Sequence, residues 1–510
     1  MSTLALGPLE IALLFTCLWL LGHAYHLSRS KCPLPPGPQG WPIIGNILQI
    51  PSFFPWLTWR QWTQQYGDIF HYKLLGQSVI VISSPALVSE LLNERHHGYD
   101  NRPKLTMMCD LVGWDQTTVF MPANQVWREH RKNMSRLFGS KAAVGKFFGI
   151  ELLGARKLMR RILEEPTGVK AHLQNWAGSL SINISYGYDV KDAHDKYLAD
   201  ANEAVCQFFR LQKPGEFMVD LLPWLKYLPS WLPGAGFQRT AKCYRQTLRR
   251  VIDLPFQMVQ RQLSAGTAKQ CFTSDLLSAD DYSQDREYAL KTSAATIFAG
   301  GADTTAGQLH ALLLLMMLYP EIRQKAQAEI DQVVGSERLP DFSDRDRLPY
   351  VKACLTEAFR LHTLVPFAGM RVAAEDDVLC GYFVPKGAII QPNTWLIAHN
   401  PEVFPEPFEY VPERYLAEKP PPHPREFSFG YGRRICPGIL LADASVWIGA
   451  TMFLALFDIQ PTEGSPTSFD QSPQGVLDGG ATCHVKRFAC KITPRSAKAE
   501  VLIRAIDHEL

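Results

Sequence analysis

Strand and helix patterns divide the chain unevenly. β-Branched and aromatic residues on both sides of Gly76 predict a strand pair over residues 69–82, and a second pair is predicted around GYFVPKGAII, turning at residues 385–387. Helical periodicity dominates elsewhere, and the clearest predicted helices cover residues 287–318, 350–362 and 439–457. The pattern predicts a fold that is mainly α with a minor β portion.

The body of the chain has the features of one large domain. It contains no internal repeat, and the proline-rich stretch EKPPPHP, residues 418–424, fits a surface loop better than a domain boundary. The chain has 510 residues, 46% hydrophobic and 20% charged, which is ordinary for a globular protein. Its net charge of +2 and the absence of long basic runs argue against nucleic-acid binding. We predict a single domain over residues 43–510.

The first 28 residues differ from the rest. Residues 4–27 carry a single formal charge, at Glu10. As a helix they reach roughly 36 Å, enough to cross a bilayer core of about 30 Å. A cleaved signal peptide and a buried core helix are the alternatives to an uncleaved anchor. The anchor fits best, because no small-residue cleavage site follows and a core helix rarely lies at a terminus. We predict an N-terminal transmembrane helix over residues 1–28.

The residues after this segment predict its orientation. Arg29 and Lys31 follow the apolar stretch directly, so the positive-inside rule places the body on the cytosolic side. A proline-rich linker over residues 29–42, which includes CPLPPGP, predicts a stiff extended connection. The eleven cysteines form no CxxC pair, so neither a disulfide framework nor a zinc ribbon is indicated.

The stretch FSFGYGRRICPG, residues 427–438, carries the strongest chemical signal. Its spacing is Phe429-x-x-Gly432-x-Arg434-x-Cys436-x-Gly438, directly before a predicted helix. The glycines let the backbone approach a flat group closely. A cysteine at a helix N-terminus favours the thiolate, which is a poor zinc site on its own but a good axial ligand for haem iron. A buried structural cysteine is the alternative, and the five specified positions argue against it.

This stretch matches the haem-binding signature of the cytochrome P450 family of haem-thiolate monooxygenases, and the resemblance extends over nearly the whole chain. The resemblance implies one cytochrome P450-type helical domain that holds haem b, with Cys436 as the iron ligand. It implies electrons from a membrane-bound NADPH–cytochrome P450 reductase, since no flavin or NADPH segment is evident in the sequence. A single-pass protein of the endoplasmic reticulum membrane, with its catalytic domain facing the cytosol, is expected.

A second motif, AGGADTT over residues 299–305, lies inside the longest predicted helix. Two adjacent glycines in a helix cost about 1 kcal/mol each relative to alanine, so something should compensate. A kinked packing helix with a solvated aspartate is the plain interpretation. In the family that the chain resembles, the residue at Asp303 relays protons and the residue at Thr304 hydrogen-bonds the oxygen species at the iron. We expect this pair to open the helical hydrogen bonding locally.

The motif EAFR places Glu357 and Arg360 three residues apart on a predicted helix, where they can form an ion pair. This spacing alone is a weak signal. In the family, the arginine matching Arg414 in PERY, residues 412–415, is the third member of a buried network with these two residues. The resemblance implies that the network is structural, fixing the loop before Cys436, and not catalytic.

Residues expected to bind the haem propionates come from three segments. Trp127 and Arg131 in WREHR lie four residues apart on one helix face, which suits a donor and a cation that reach the same carboxylates. Ordinary helix packing is the alternative for Trp127. By resemblance, Arg434 and Arg371 contact the same groups. Met370 stands where a histidine often precedes that arginine, so the chain departs from the family pattern there.

The resemblance implies a monooxygenase that hydroxylates, epoxidises or oxidises a lipophilic small molecule in several steps. A reductase-independent haem-thiolate isomerase or dehydratase is one rival, which the intact Asp303–Thr304 pair disfavours. A haem sensor is the other, which the glycines on the oxygen side disfavour. Substrate contacts are expected, by resemblance, from residues 105–114, Phe298, Ala302, 365–370 and 476–477.

Two further stretches, HLQNWAGSLSINISYGYDV and YLPSWLPGAGFQ, resemble fungal members of the family that modify secondary metabolites. A terpenoid substrate is the first expectation, a polyketide or aromatic alkaloid the second, and sterol demethylation is less favoured.

Overall fold

The computed structural model describes residues 32–191, 195–213, 215–279, 282–367 and 369–506, together with Gly7, Leu13, 15–17, Trp19, Leu20 and Gly22 near the N-terminus. Most of the predicted anchor therefore lies outside the described residues. The side chains of Leu13, Phe15, Trp19 and Leu20 are each more than half exposed.

Helices make up most of the described chain, as the sequence predicts. In order they are α1 (Pro55–Tyr66), α2 (Pro85–Ser89), α3 (Gln125–Phe138), α4 (Lys141–Gly145), α5 (Phe148–Glu164), α6 (Val169–Tyr186), α7 (Lys196–Leu211), α8 (Met218–Leu221), α9 (Gly236–Ser264), α10 (Phe272–Leu277), α11 (Gln284–Leu318), α12 (Pro320–Val333), α13 (Pro349–Leu361), α14 (Thr394–Ala398), α15 (Ile439–Leu456) and α16 (Ala497–Ala505). Two π-helical segments, Glu90–Glu94 and Thr106–Val112, lie between α2 and α3.

The three long helices predicted from sequence are confirmed with small shifts of their ends. α11 begins at Gln284, three residues before the predicted start, and α13 is displaced by one residue at each end. α15 ends at Leu456 because Phe457 begins a strand. Helix ends are set by the packing and capping of single residues, which periodicity does not resolve.

The core is built around α11 and α15. Every residue from 305 to 317 of α11 is buried, so this part of the helix, which is mostly apolar, is packed on all sides. Among the described residues, only α15 is long and apolar enough to cross a bilayer, and 67% of that window is buried inside the protein. It is therefore a central core helix, and it begins directly after Cys436.

The strands form three small sheets. They are β1 (Ile69–Leu74), β2 (Gln77–Ile82), β3 (Arg371–Val372), β4 (Asp377–Leu379), β5 (Tyr382–Val384), β6 (Ile389–Pro392), β7 (Phe457–Gln460) and β8 (Lys491–Pro494). The largest sheet has the order β1-β2-β6-β3, with β2 and β6 parallel. The predicted pair over residues 69–82 is confirmed, with Ile69 opposite Ile82. Leu75 and Gly76 both have positive φ, the conformation that a tight two-residue hairpin turn requires.

The second predicted pair is wrong in its pairing. The turn at residues 385–387 does form, with the Ala388 N–H donating to the Pro385 carbonyl at 2.9 Å. However, β5 pairs with β4 through a turn at Cys380 and Gly381, whereas β6 pairs with β2 and β3. The turn therefore leads the chain from one sheet to another. Local residues mark strands and turns, but the partner of a strand depends on which edges lie nearby in three dimensions.

Candidate haem-binding site

The loop before α15 is shaped by two glycines in the left-handed conformation. Gly430 has φ of +83° and Gly432 of +57°. A Cβ at position 432 would overlap the carbonyl oxygen of Leu92, so only glycine fits there. The Gly432 N–H donates to Asn93 Oδ1 at 2.8 Å, which fixes the loop against the segment that follows α2.

Cys436 is partly buried at the end of this loop. Its N–H donates to the Phe429 carbonyl at 2.9 Å, and Gly438 is the N-cap of α15. Burial raises the pKa of the Cys436 thiol, and the Gly438 N–H and the Arg131 guanidinium only partly oppose this. The N–H at the helix N-terminus thus favours the thiolate, but burial outweighs it in the free thiol. A metal that binds the sulfur displaces the proton and removes this cost.

Four guanidinium groups gather beside the loop. They belong to Arg102, Arg131, Arg371 and Arg434. Arg131 donates to the Ile435 carbonyl at 2.7 Å, which joins α3 to the cysteine loop. Arg371 donates to the Tyr431 carbonyl at 3.3 Å. The sequence motifs single out three of these arginines, but they miss Arg102, which donates to the Met370 carbonyl at 2.7 Å.

The position of Arg102 depends on Gly369, which has φ of +56°. A Cβ on Gly369 would overlap the guanidinium of Arg102. An isolated arginine in a loop carries no periodicity or spacing, so no local signal marks it in the sequence. The backbone carbonyl of Met370 supplies the contact here, and therefore the absence of a histidine at that position leaves the cluster intact.

The cluster holds an excess of positive charge. Burial, and next the neighbouring Arg371, lower the pKa of Arg434 to about 9, while burial lowers the pKa of Arg371 to about 10. Burial and repulsion by Arg371 and Arg434 also lower the pKa of Arg102. A guanidinium remains charged at any pH at which proteins fold, so these shifts express the cost of holding the cations together. Asp100 offsets part of the charge but is already paired with Arg433 at 3.0 Å.

Trp127 offers a hydrogen-bond donor at the same place. Asn124 caps α3 by accepting from the Trp127 N–H at 2.9 Å, which sets the position of the side chain. The guanidinium of Arg434 lies 4.4 Å from the centre of its ring. The indole Nε1 is buried and has no hydrogen-bond partner in the described part of the chain. An unpaired buried donor beside uncompensated cations fits an anionic group with acceptor oxygens.

α11 runs past this site without a break. The helix is continuous from Gln284 to Leu318, so the expected local opening at residues 303–304 is wrong. The hydroxyl of Thr304 donates to the Gly300 carbonyl at 2.8 Å. The two glycines have different surroundings. A Cβ on Gly301 would overlap the Ser181 hydroxyl of α6, whereas a Cβ on Gly300 would meet nothing within 4 Å. Gly301 thus allows close helix packing, and Gly300 leaves open space.

Thr118 links α11 to the arginine cluster. Its carbonyl accepts from Arg434 at 3.1 Å, and its N–H donates to Thr296 Oγ1 on α11 at 3.3 Å. The cysteine loop and the helix that carries Asp303 are therefore joined through one residue of the segment before α3.

Asp303 has a partner that the sequence did not reveal. Its carboxylate accepts from His484 Nε2 at 2.7 Å, and both side chains are 15% exposed. The two residues are 181 positions apart in the chain, so no motif connects them. The one nearby residue that reflects this contact is Gly307, one turn beyond Asp303, where a Cβ would come within 3.0 Å of the His484 imidazole.

Glu357, Arg360 and Arg414 form a buried network behind the cysteine loop, as predicted. Arg360 donates to both carboxylate oxygens of Glu357 at 2.7 Å, and Arg414 Nε donates to Glu357 Oε1 at 3.0 Å. Arg360 also donates to the carbonyls of Ala398, Pro407 and Glu409, and Arg414 Nη1 donates to the Pro405 carbonyl. The network therefore fastens residues 398–414 to α13.

The expected substrate segments have mixed surroundings. Phe298 is fully buried and packs edge-on against Tyr186 at 6.1 Å between ring centres, so it belongs to the hydrophobic core. Residues 106–112 form the second π-helical segment, whose Met107 N–H donates to Asp220. Leu477 pairs with Val485 in the hairpin that carries His484.

Comparison with known proteins identifies one protein family. A sequence model of the cytochrome P450 family matches residues 35–482. Cytochrome P450 monooxygenase 208 of Postia placenta is 38% identical over 487 residues, 94% of each chain. Cytochrome P450 monooxygenase COX2 of Coprinopsis cinerea is 38% identical, with 93% of this chain and 92% of the relative covered. Tryptamine 4-monooxygenase of Psilocybe cyanescens is 34% identical, with 93% and 95% covered.

Proposed function

Since this chain belongs to the cytochrome P450 family and is a haem-thiolate monooxygenase, we propose that it is a membrane-anchored, reductase-dependent enzyme that oxidises a lipophilic small molecule. The observation that carries this proposal is the set of only partly compensated guanidinium groups and the unpaired indole N–H beside Cys436. A cofactor with two carboxylates would balance the guanidinium charge and accept a hydrogen bond from the indole N–H.

Haem b is the cofactor of this family, and the residues at the site fit it. Cys436 would hold the iron. Trp127, Arg131, Arg371 and Arg434 would hold the propionates, with Arg102 as an additional cation. When bound, the thiolate-ligated haem supplies the activation of dioxygen with two electrons from outside the chain. Phe429, Gly432 and Gly438 shape the loop around the ligand, because their backbone groups set where the sulfur lies.

Asp303 and Thr304, both on α11, would deliver protons to the site. Asp303 is partly exposed and hydrogen-bonded to His484, which suits a group that takes protons from solvent and passes them inward. The Thr304 hydroxyl lies one residue away and, while donating to the Gly300 carbonyl, keeps its oxygen lone pairs available. The open space at Gly300 gives a small molecule access to this part of the helix. An intact pair favours a monooxygenase over a haem-thiolate isomerase or dehydratase, which needs no proton relay.

Glu357, Arg360 and Arg414 would have a structural role in this scheme. Their hydrogen bonds end on backbone carbonyls of residues 398–409, and none of these bonds reaches the cysteine or α11. A rigid loop before Cys436 keeps the sulfur in place.

The substrate is proposed to be a fungal secondary metabolite. A terpenoid is the first candidate, and a polyketide or aromatic alkaloid is the alternative. The alkaloid receives support from the Psilocybe cyanescens relative, whose name gives tryptamine as its substrate. Mostly apolar residues in the expected substrate segments agree with a lipophilic guest.

Reconstitution tests the proposal, and Thr304→Val provides the specific prediction. Purified protein with NADPH–cytochrome P450 reductase should consume NADPH and release an oxygenated product when a terpenoid or indole substrate is added. With Thr304→Val, which keeps the shape and removes the hydroxyl, the product formed per NADPH should fall by roughly 10²-fold, since a positioned acid–base group contributes at least that much. NADPH consumption should continue, with hydrogen peroxide as the product.

Thr305→Val is the matched control, because Thr305 is the next residue on α11 and is buried away from the open side. Full coupling in Thr304→Val, or equal uncoupling in both variants, would remove Thr304 from proton delivery. An absence of NADPH-dependent product with any lipophilic substrate would reject the monooxygenase proposal for this chain.

The anchor and its location form a separate prediction. We propose that residues 1–28 span the endoplasmic reticulum membrane once and that residues 29–42 join them to a catalytic domain over residues 43–510 in the cytosol. Deletion of residues 2–28 should release the protein from microsomes during an alkaline carbonate wash, with a change in membrane partition of at least about 10²-fold. The full chain should stay in the pellet. Retention of both proteins would contradict the anchor.

A further inference from the structure

Asp303 belongs to a cluster of charged side chains that connects α11 to the C-terminal hairpin. His484 donates to Asp303 Oδ2 at 2.7 Å, and its other ring nitrogen lies 3.6 Å from Asp478 Oδ2. Two hydrogen bonds within the hairpin hold Asp478 opposite His484. The Asp478 N–H donates to the His484 carbonyl at 2.9 Å, and Asp478 Oδ1 accepts from the His484 N–H at 3.0 Å. The imidazole therefore bridges two carboxylates, one on the helix and one on the hairpin.

The surroundings fix the imidazole in this position. Gly307 gives the ring the space it needs against α11. Phe209 of α7 packs edge-on against it, with 5.3 Å between ring centres. Two hydrogen bonds to backbone carbonyls hold the hairpin in place: the side chain of Lys170 on α6 donates from Nζ to the Val485 carbonyl at 3.0 Å, and the Cys483 N–H donates to the Leu364 carbonyl at 2.7 Å.

The titratable groups around His484 come from each packed element. Lys170 lies on α6, Cys206 on α7, His310 on α11, His362 after α13, and Asp478 and Cys483 in the hairpin. Burial lowers the pKa of His310 to about 3 and that of His362 to about 4, so both are neutral where the protein works. Lys170 is a further cation and interacts electrostatically with both Asp303 and Asp478. The histidine bridge is thus electrically balanced when His484 is an imidazolium.

We propose that His484 is a positioning residue for proton delivery: its imidazole bridges Asp303 and Asp478 and so keeps the Asp303 carboxylate correctly placed on α11. This inference rests on the proposed function of Asp303 and adds a residue to it. In this role His484 acts through Asp303.

The bridge has a defined dependence on pH. Burial alone would lower the pKa of His484, but the hydrogen bond to Asp303 and the contact with Asp478 outweigh it and raise the pKa of His484 to about 9. Because the ordinary value is 6.5, the contribution of the imidazolium is complete below pH 6.5 and is lost as the pH rises through about 9. Burial opposes the ionisation of Asp478, yet the bond with His484 lowers the pKa of its carboxyl, so its contribution is lost only in acid.

The first test measures His484 directly and needs no turnover. Histidine labelled with ¹³C in the ring, in the diamagnetic reduced and CO-bound protein, gives one signal that disappears in His484→Gln. That signal should titrate near 9 in the unaltered chain and at least about one pH unit lower in Asp303→Asn. A midpoint at or below 6.5, or no response to Asp303→Asn, overturns the proposal.

The second test measures coupling in the reconstituted system. The unaltered enzyme should lose product per NADPH as the pH rises through about 9. His484→Gln should give about tenfold less product per NADPH at pH 7, the value of one charge-assisted hydrogen bond, and should lack the alkaline loss. His484→Lys should restore coupling because it returns a cation. Asp303→Asn and the double variant with His484→Gln should be equally uncoupled, since His484 acts through Asp303.

His172→Gln is the matched control, because His172 also lies beside a carboxylate, 3.8 Å from Glu165, outside the cluster. It should leave coupling and its pH dependence unchanged. Additive losses in the double variant, or full coupling in His484→Gln, overturn the proposal. If the monooxygenase proposal itself fails, no product forms with the unaltered protein while the ¹³C titration of His484 keeps its midpoint, so the two failures are distinguishable.

Discussion

Replacement of Cys436 by alanine should abolish both the haem-thiolate spectrum and turnover while leaving the fold in place. Cys436 is the only side chain of the loop that can supply a sulfur ligand, and alanine keeps the backbone hydrogen bond from the Cys436 N–H to the Phe429 carbonyl. Removal of the sulfur therefore costs little packing but removes the bond to the iron. Activity should fall below detection, and the reduced, CO-bound protein should lose its thiolate-type band. Absorbance spectra, far-ultraviolet circular dichroism and NADPH-dependent product formation measure these outcomes.

Cys354→Ala is the matched control. Cys354 is a buried cysteine of α13, and burial raises the pKa of its thiol as it does for Cys436. This variant should keep its haem spectrum and its turnover, with a loss of stability on the order of 1 kcal/mol for the small cavity. Retention of the band and of activity by Cys436→Ala would end the assignment of Cys436 as the iron ligand and, with it, the account of the site.

Replacement of Glu357 by glutamine should cause the largest loss of stability among the substitutions considered. The substitution keeps the shape of the side chain but removes its charge, leaving Arg360, which is fully buried, and Arg414 without a counterion. Breaking a buried ion pair by removing one partner costs about 3–5 kcal/mol. The loop over residues 398–414 should loosen, and the yield of haem-containing protein should drop sharply. Thermal unfolding at a fixed scan rate and the haem-to-protein ratio report both effects.

The surface pair Arg504–Glu500 on α16 offers the control. These residues are four apart and largely exposed, so Glu500→Gln should change the free energy of unfolding by less than about 1 kcal/mol. Should Glu357→Gln fail to accumulate, Arg414→Lys keeps the charge, loses the directed guanidinium bonds and should show an intermediate loss. Equal unfolding behaviour of Glu357→Gln and Glu500→Gln would contradict the structural role of the network.

The arginine cluster shows which site residues short sequence motifs can identify and which they cannot. Arg131 and Arg434 lie inside short motifs, so a fixed spacing marks them, and Arg371 is marked by the segment before it. Arg102 has no such spacing. It reaches the cluster because Gly369, 267 residues later in the chain, leaves space for its guanidinium. Charge excess is a property of several segments together, and a single segment does not reveal it.

The bonding of Asp303 illustrates the same limit. The AGGADTT motif identifies the aspartate, but its partner comes from a hairpin near the end of the chain. The motif also led to the expectation of locally opened helical hydrogen bonding, whereas α11 is continuous and Gly301 serves close packing against Ser181. Glycine in a helix has several uses, and only the neighbouring helix shows which one applies.

By itself, the sequence determined the helical class of the fold, the hairpin over residues 69–82, the cysteine loop, the buried Glu357 network and the family. All of these depend on residues close together in the chain, where periodicity, turn chemistry and fixed spacing act. Only the tertiary structure decided the partner of β5, the burial of the Cys436 sulfur, the place of Arg102 and the bridge from Asp303 to His484. Each of these depends on burial and on charges that distant segments bring together, and such energies do not exist until the chain has folded.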